Sequence, residues 1–298
     1  MRVATMILFA FFCSCGLAHT QAFALDTAKI EEAAGAKGAL NADEGVFKVT
    51  YPRNDVKVSV DGTVLPPFMG LTSWAAFMPG VDKEAMVMGD MVLFQDEVNP
   101  AMSAALDNGL AVTALHNHFF YDDPKVYFMH IGGEGDAVVL ASAVKKIQDT
   151  VKGIRAASPQ PAKTFGGDPL AATSAISPAP IEEILGKGQA KDGMFKAVIG
   201  RNTKMPCGCE VGKEMGVNTW AAFYGTDDDA LVDGDFAVFA GEMQGVLKSL
   251  RGSGINIVAI HSHMEGDDPK VLFLHYWGRG RTADLAKALK AALDTTGK

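Results

Sequence analysis

Val112-Thr113-Ala114-Leu115-His116-Asn117-His118-Phe119 runs through Asp122-Asp123-Pro124-Lys125 into Val126-Tyr127-Phe128-Met129-His130-Ile131. Two apolar, β-branched and aromatic runs on either side of a polar, proline-containing turn predict a pair of adjacent strands. The pattern returns as Val258-Ala259-Ile260-His261-Ser262-His263, then Asp267-Asp268-Pro269-Lys270, then Val271-Leu272-Phe273-Leu274-His275. In both stretches a His-x-His pair is followed by eleven residues and a third histidine. Six of the seven histidines belong to these two triplets; the seventh is His19.

Outward from the triplets the duplication continues. Trp74-Ala75-Ala76-Phe77 matches Trp220-Ala221-Ala222-Phe223, and Gly89-Asp90 matches Gly234-Asp235. Arg53-Asn54 pairs with Arg201-Asn202, and Ile30-Glu31-Glu32 with Ile181-Glu182-Glu183. Two long copies make a tandem pair of domains, whereas a solenoid needs more and shorter units. The expected organisation is a signal peptide over 1–24, a first repeat over 25–152, a linker over 153–180 and a second repeat over 181–298. The linker carries Pro159, Pro161, Pro169, Pro178 and Pro180, a composition that extends and forms no core of its own; it can still pack along a surface, with Phe165 a candidate anchor.

Within each copy the same order of elements is expected. A short helix opens it, capped by Asp26 or Ser177. Strands follow over Phe47–Tyr51 and Val56–Val60, the latter ending in the Asp61-Gly62 turn, then through the Trp-Ala-Ala-Phe motif and up to Phe94 or Phe239. A helix starts near Asn99-Pro100 and stops at Gly109. The strand Val112–Phe119 and its partner Val126–Ile131 come next, and helices over Ala137–Val151 and Thr282–Leu293 close the two copies. This order predicts an α+β fold: a tandem duplication of a mixed, mostly antiparallel sheet unit with flanking helices.

Composition narrows the function. The net charge is −8 with no basic run, which argues against nucleic acid and anionic membrane surfaces as partners. Arg2, the apolar run Val3–Phe12 and the small-x-small Ala22-Phe23-Ala24 read as a secretory signal cleaved after Ala24, too short for a membrane anchor. The expected location is therefore periplasmic or secreted. Lipidation at Cys15 is the weaker reading, because Phe12-Cys13-Ser14 makes a poor lipobox. After cleavage, Cys207 and Cys209 remain, as a local disulfide or a soft-metal pair.

The histidines point to metal. Residues two apart on a strand share a face, so His116 and His118 aim the same way, as do His261 and His263. The third histidine joins them only if the loop has an odd number of residues; an even loop turns it to the other face. His116, His118 and His130, with His261, His263 and His275, are thus candidate ligands of a divalent metal, zinc first, since neutral imidazoles are its common ligands. Glu97 and Glu242, beside the second helix, are candidate general acid/bases. Arg53 and Arg201 are candidate clamps for an anionic small-molecule substrate. Asp90 and Asp235 follow glycine and are expected in a turn or cap, and Trp74 and Trp220 in the core.

In the stretches Thr113–His118 and Val126–His130, in Gly89-Asp90 and Glu97-Val98-Asn99-Pro100, and in Gly234-Asp235-Phe236 and His261–Met264, the chain resembles the LppY/LpqO family of secreted bacterial proteins. The resemblance covers nearly the whole mature chain. It implies a signal or lipoprotein leader and two copies of a domain of unknown function, without an established reaction. Copy two departs from the family pattern: Ser262 replaces an Asn, Gly241-Glu242-Met243-Gln244 replaces Asp-Glu-Val-Asn, and Cys207-Gly208-Cys209 is added. The expected function is an exported metal-binding protein open to zinc-dependent hydrolase or lyase chemistry. The alternative is a non-catalytic zinc- or copper-buffering protein.

Overall fold

The computed structural model describes residues 25–297; the signal reading over 1–24, with Cys15 and His19, lies outside them. The first repeat comprises α1 (Thr27–Ala34), β1 (Gly38–Asn41), β2 (Val46–Pro52), β3 (Val58–Val60), β4 (Thr63–Leu65), β5 (Thr72–Pro79), β6 (Ala85–Phe94), α2 (Val98–Asp107), β7 (Ala111–His116), β8 (Asp122–Asp123), β9 (Val126–Gly135) and α3 (Ala137–Ala157). The second comprises α4 (Pro178–Leu185), β10 (Gly188–Lys191), β11 (Met194–Gly200), β12 (Thr203–Lys204), β13 (Glu210–Val211), β14 (Asn218–Gly225), β15 (Ala230–Phe239), α5 (Met243–Gly252), β16 (Asn256–His261), β17 (Val271–Gly280) and α6 (Thr282–Leu293).

The fold is α+β, and the two repeats share one sheet. Its twelve strands run β1-β2-β5-β6-β9-β7-β16-β17-β15-β14-β11-β10, a palindrome about the β7–β16 seam. Every ladder in it is antiparallel. Strand alternation sends Val87, Leu93, Met129 and Ile131 to one side, and a single apolar core there runs through both repeats and takes in residues of α1 to α6. Helices α2 and α5 meet across the seam.

Two amides lock that seam. Asn99 on α2 of the first repeat accepts from the Ile257 N–H at 2.8 Å and donates to its carbonyl at 3.2 Å. Reciprocally, Gln244 on α5 accepts from Val112 N–H at 2.9 Å and donates to its carbonyl at 2.8 Å. Val112 and Ile257 sit where the register slips against β9 and β17. Each side-chain amide thus substitutes for ladder hydrogen bonds lost at a bulge.

The opposite face is only partly covered. The β4-β3-β8 sheet lies over Val92, Phe94, Val126 and Phe128, and Val211 packs with Val217, Ala237, Val271 and Phe273 in the second repeat. The linker makes contacts along the surface. Helix α3 extends to Ala157, beyond the expected Val151. Gln95 donates to Ala162 O, Phe165 packs edge-on against Trp277 with centroids 4.6 Å apart, and Tyr224 Oη donates to Ala171 and Ala172 carbonyls. Asp26 caps α1 by accepting from Lys29 N–H, whereas Ser177 precedes α4 without a side-chain cap bond, and Pro180 at the third helical position has no N–H to offer it.

Candidate metal centre

Register brings each histidine triplet together. His116 pairs with Phe128 and Ala114 with His130, leaving residues 117–127, an odd number, between the paired positions. His261 pairs with Phe273 and Ala259 with His275 in the same way. His116, Phe128 and His130 therefore point to the partly open face. The strand ends at His116, short of the expected Phe119, and the chain turns off through Tyr121 at φ +59°. His118 thus lies past the strand and stacks on Phe128, 3.4 Å between centroids and 6° between planes, instead of facing His130. His263 stacks on Phe273 at 3.4 Å and 8°.

The Asp-Asp-Pro-Lys turn steadies this loop. Asp122 and Asp267, both buried, each accept from a strand amide, Val126 N–H and Val271 N–H, at 2.7 Å. The rings then converge. His116 and His130 approach through their Nε2 atoms to 3.0 Å, and His261 and His263 to 3.1 Å. Centroids of His116 and His118 are 5.2 Å apart, and those of His261 and His275 4.7 Å. His118, His263 and His275 are exposed, the other three half-buried.

A carboxylate lies beside each cluster, and it is not the expected one. Asp90 and Asp235 lie in mid-strand, directly opposite His130 and His275, so the expectation of a turn or cap is overturned. The glycine before each has a packing cause. A Cβ at Gly89 would meet Trp74 O at 2.8 Å and Ile131 Cγ1 at 2.9 Å; at Gly234 it would meet Trp220 O and Tyr276 Oη at 2.3 Å. Asp235 Oδ2 is 3.5 Å from His263 Nε2, and ligand atoms of Asp235, His261 and His263 all lie within 4.8 Å of one another, as a shared cation requires. Oδ1 of both aspartates and Nδ1 of His261 are buried without a hydrogen-bond partner.

Burial sets the electrostatics of both clusters. Burial raises the Asp90 carboxyl above its usual range against the pull of His130, His118 and His116, and does the same at Asp235 against His275 and His261. Burial, with neighbouring imidazoles, depresses His118, His261 and His263. Neutral imidazole is the ligating form, so this setting keeps lone pairs available at neutral pH.

Glu97, Glu242, Arg53 and Arg201 are committed elsewhere. Arg53 forks onto Glu97 at 2.7 and 2.9 Å, Arg155 Nε lies 2.9 Å from Glu97 Oε1, and Phe94 N–H donates to Oε2 at 2.9 Å. Arg201 forks onto Glu242 at 2.5 and 3.0 Å. The guanidinium groups also lie over Phe94 and Phe239, at 4.4 and 3.9 Å from the ring centroids. The expected acid/base and substrate clamp are thus each other's partners, because a buried charge needs a counter-charge more than it needs a ligand. Trp74 and Trp220 are half-buried beside Asp90 and Asp235 in the register, each under a lysine Nζ (Lys48, Lys196) 4.1 Å above the ring. They line the open face instead of the expected core. Cys207 and Cys209 are exposed free thiols.

Sequence reasoning missed Asp90 and Asp235. The recurrence of Gly-Asp inside an alternating run, in both copies, was the available signal.

Among the described residues no helix is long and apolar enough to cross a membrane. No curated protein matches the chain. Among solved structures, the trimeric bacterial microcompartment shell protein PduB aligns at 11% identity over 87% of this chain and 89% of that one, with a TM-score of 0.23. The double-ringed trimeric shell protein MSM0271 from the RMM microcompartment aligns at 9% identity over 87% and 95%, with a TM-score of 0.18. Family comparison matches both repeats, over residues 28–150 and 179–295, and the chain belongs to the family described as Domain of Unknown Function (DUF1259), of which it carries two tandem copies.

Proposed function

We propose that the protein is an exported metal-binding protein with one divalent-cation site per repeat. Asp90, His116, His118 and His130 hold one ion, and Asp235, His261, His263 and His275 the other, with zinc the first choice for a nitrogen-rich shell with one carboxylate. The observation that carries the reading is the buried, unpartnered Oδ1 of each aspartate among converging imidazoles. Stacking on Phe128 and Phe273 fixes the exposed rings in place. The resemblance to LppY/LpqO proteins and the reading of residues 1–24 as a secretory signal support export.

A zinc ion bound there would supply an activated water or a polarised carbonyl, the chemistry of hydrolases and lyases. In such a reaction the chain's own open-face groups, Trp74 with Lys48 and Trp220 with Lys196, would flank the substrate with an aromatic surface and a positive charge. Exposure of His118, His263 and His275 favours a second reading, a shell that takes up and releases zinc or copper without catalysis.

Elemental analysis of protein purified without chelators tests the proposal. About one divalent ion per repeat is expected, falling by half in His118→Ala or His263→Ala and to near zero in the double variant, as for a site that loses a ligand. Wild-type protein without stoichiometric metal would sink both readings. Turnover by the loaded protein, abolished in the double variant, separates enzyme from buffer.

A further inference from the structure

Away from the histidines, a cleft of about 590 Å³ opens beside the seam between the repeats. Helix α2 gives Val98, Asn99 and Pro100 to one wall and the start of β16 gives Asn256, Ile257 and Val258 to another, while linker residues 162–165 roof it. The volume falls within the range of small-molecule sites. Because the linker occurs once in the chain, this roof has no duplicate.

Three aromatic rings line the cleft: Tyr127, Trp277 and Phe165, the last two packed edge to face. Two polar groups stand out among them. Asn256 is 7% exposed, and its Nδ2 is buried with no hydrogen-bond partner. The other amides in the wall are engaged, Asn99 by Ile257 and Gln95 by the Ala162 carbonyl. Arg251 spends Nη1 on the Ile255 carbonyl at 2.6 Å and Nε on Ser103 Oγ at 3.2 Å, and burial disfavours its charge. A half-buried guanidinium without a carboxylate partner gains from an anion. Lys163 adds a second cation at the rim. The one acidic wall residue, Asp96, pairs with Arg155 and accepts from Ala162 N–H through Oδ2, while its Oδ1 is buried without a partner.

We propose that this cleft binds a small aromatic carboxylate, its ring against the Trp277–Phe165 pair and Tyr127 and its carboxylate toward Asn256 Nδ2 and Arg251. The geometry uses none of the histidines, so the site stands or falls apart from the metal reading. It would serve either as a ligand-sensing site or as a substrate subsite at the joint of the two repeats.

Two-dimensional ¹H–¹⁵N NMR of the full mature chain, titrated with benzoate and separately with benzamide, tests it. With benzoate, the Trp277 indole N–H and the Asn256 side-chain amide should shift and saturate, and benzamide should bind at least about tenfold more weakly. Arg251→Gln should weaken benzoate by about tenfold. Phe165→Ala, at an exposed position, should weaken it as well, with the fold checked by the melting temperature. Shifts centred elsewhere, absence of saturation by about 20 mM, or equal binding of benzoate and benzamide would overturn the proposal.

Discussion

A carboxylate oxygen sealed from water without a hydrogen bond costs on the order of 1–3 kcal/mol, and Asp90 and Asp235 each carry one. A cation among the imidazoles removes that cost, so replacing either carboxylate by its isosteric amide should act on metal and spare the fold. Asp235→Asn is expected to weaken zinc binding at the second site about 10–100-fold, with Asp90→Asn doing the same at the first. Calorimetric titration of each variant checks this, and unchanged affinity in both would remove aspartate from the shell. The glycines beside them make a second claim at this scale. A methyl group at position 234 meets backbone and the Tyr276 ring at 2.3 Å, whereas at 89 it meets a carbonyl at 2.8 Å and a movable Ile131 side chain. Overpacking of a well-filled site costs about 1–3 kcal/mol. Gly234→Ala should therefore destabilise more than Gly89→Ala in urea unfolding, and the reverse order would mean that β15 relaxes more easily than β6.

Between elements, the arginine–glutamate forks tie the end of β2 to the junction of β6 with α2, and the end of β11 to the junction of β15 with α5. They differ in burial: Glu97 is 0% exposed and Glu242 17%. Removing one partner of a buried pair costs about 3–5 kcal/mol, because the other charge is left alone. Glu97→Ala is expected to approach that cost and Glu242→Ala to fall below it, as equilibrium unfolding would measure. The second fork also carries a pH signature. Burial works against the Glu242 carboxylate, but hydrogen bonds from Arg201, Phe239 N–H and Gly297 N–H hold it below its ordinary 4.5. A depressed value means stabilisation that is complete above that ordinary value and lost as pH falls through the lower, folded one. Wild type should thus lose stability more steeply than Glu242→Gln below about pH 4.5; parallel curves would show the fork contributes nothing. These residues also mark how far a sequence can be read. Apolar alternation, caps and the proline turns gave strand and helix positions because they act within a few residues of chain, and α6 falls where its Ala, Leu and Lys content places it. The duplication likewise revealed which side chains matter. It did not reveal that Arg53 meets Glu97 or that Asp90 faces His130, since those pairings depend on which strands become neighbours. Nor did it reveal how far the strand bearing His116 would run, because its end is set by the turn at Tyr121 and the Phe128 ring that receives His118.

At the scale of the molecule, duplication has solved an edge problem. One repeat alone would present β7 as an unpaired edge and the apolar side of α2 to water, a combination that invites association. The second repeat covers both through β16 and α5, with Asn99 and Gln244 exchanging places across the seam. The palindromic strand order has a further consequence. Val112 and Ile257 occupy equivalent bulges, so Asn99 of one copy of the first repeat can meet Val112 of another as it now meets Ile257. An excised first repeat, residues 25–157, is therefore expected to form a homodimer with twofold symmetry through β7, detectable by light scattering at micromolar concentration. Asn99→Ala should shift that dimer toward monomer by about 1–3 kcal/mol per lost clamp, since two backbone groups at each bulge are left without partners. In the intact chain the same substitution should lower stability by a similar amount without changing the oligomeric state, because covalent linkage keeps the second repeat at high effective concentration. A folded, monomeric first repeat at the highest attainable concentration would show that the seam is incidental to the fold. In that case each metal cluster would have to be stable on its own sheet, and the reason for carrying two would lie in function rather than in closing an edge.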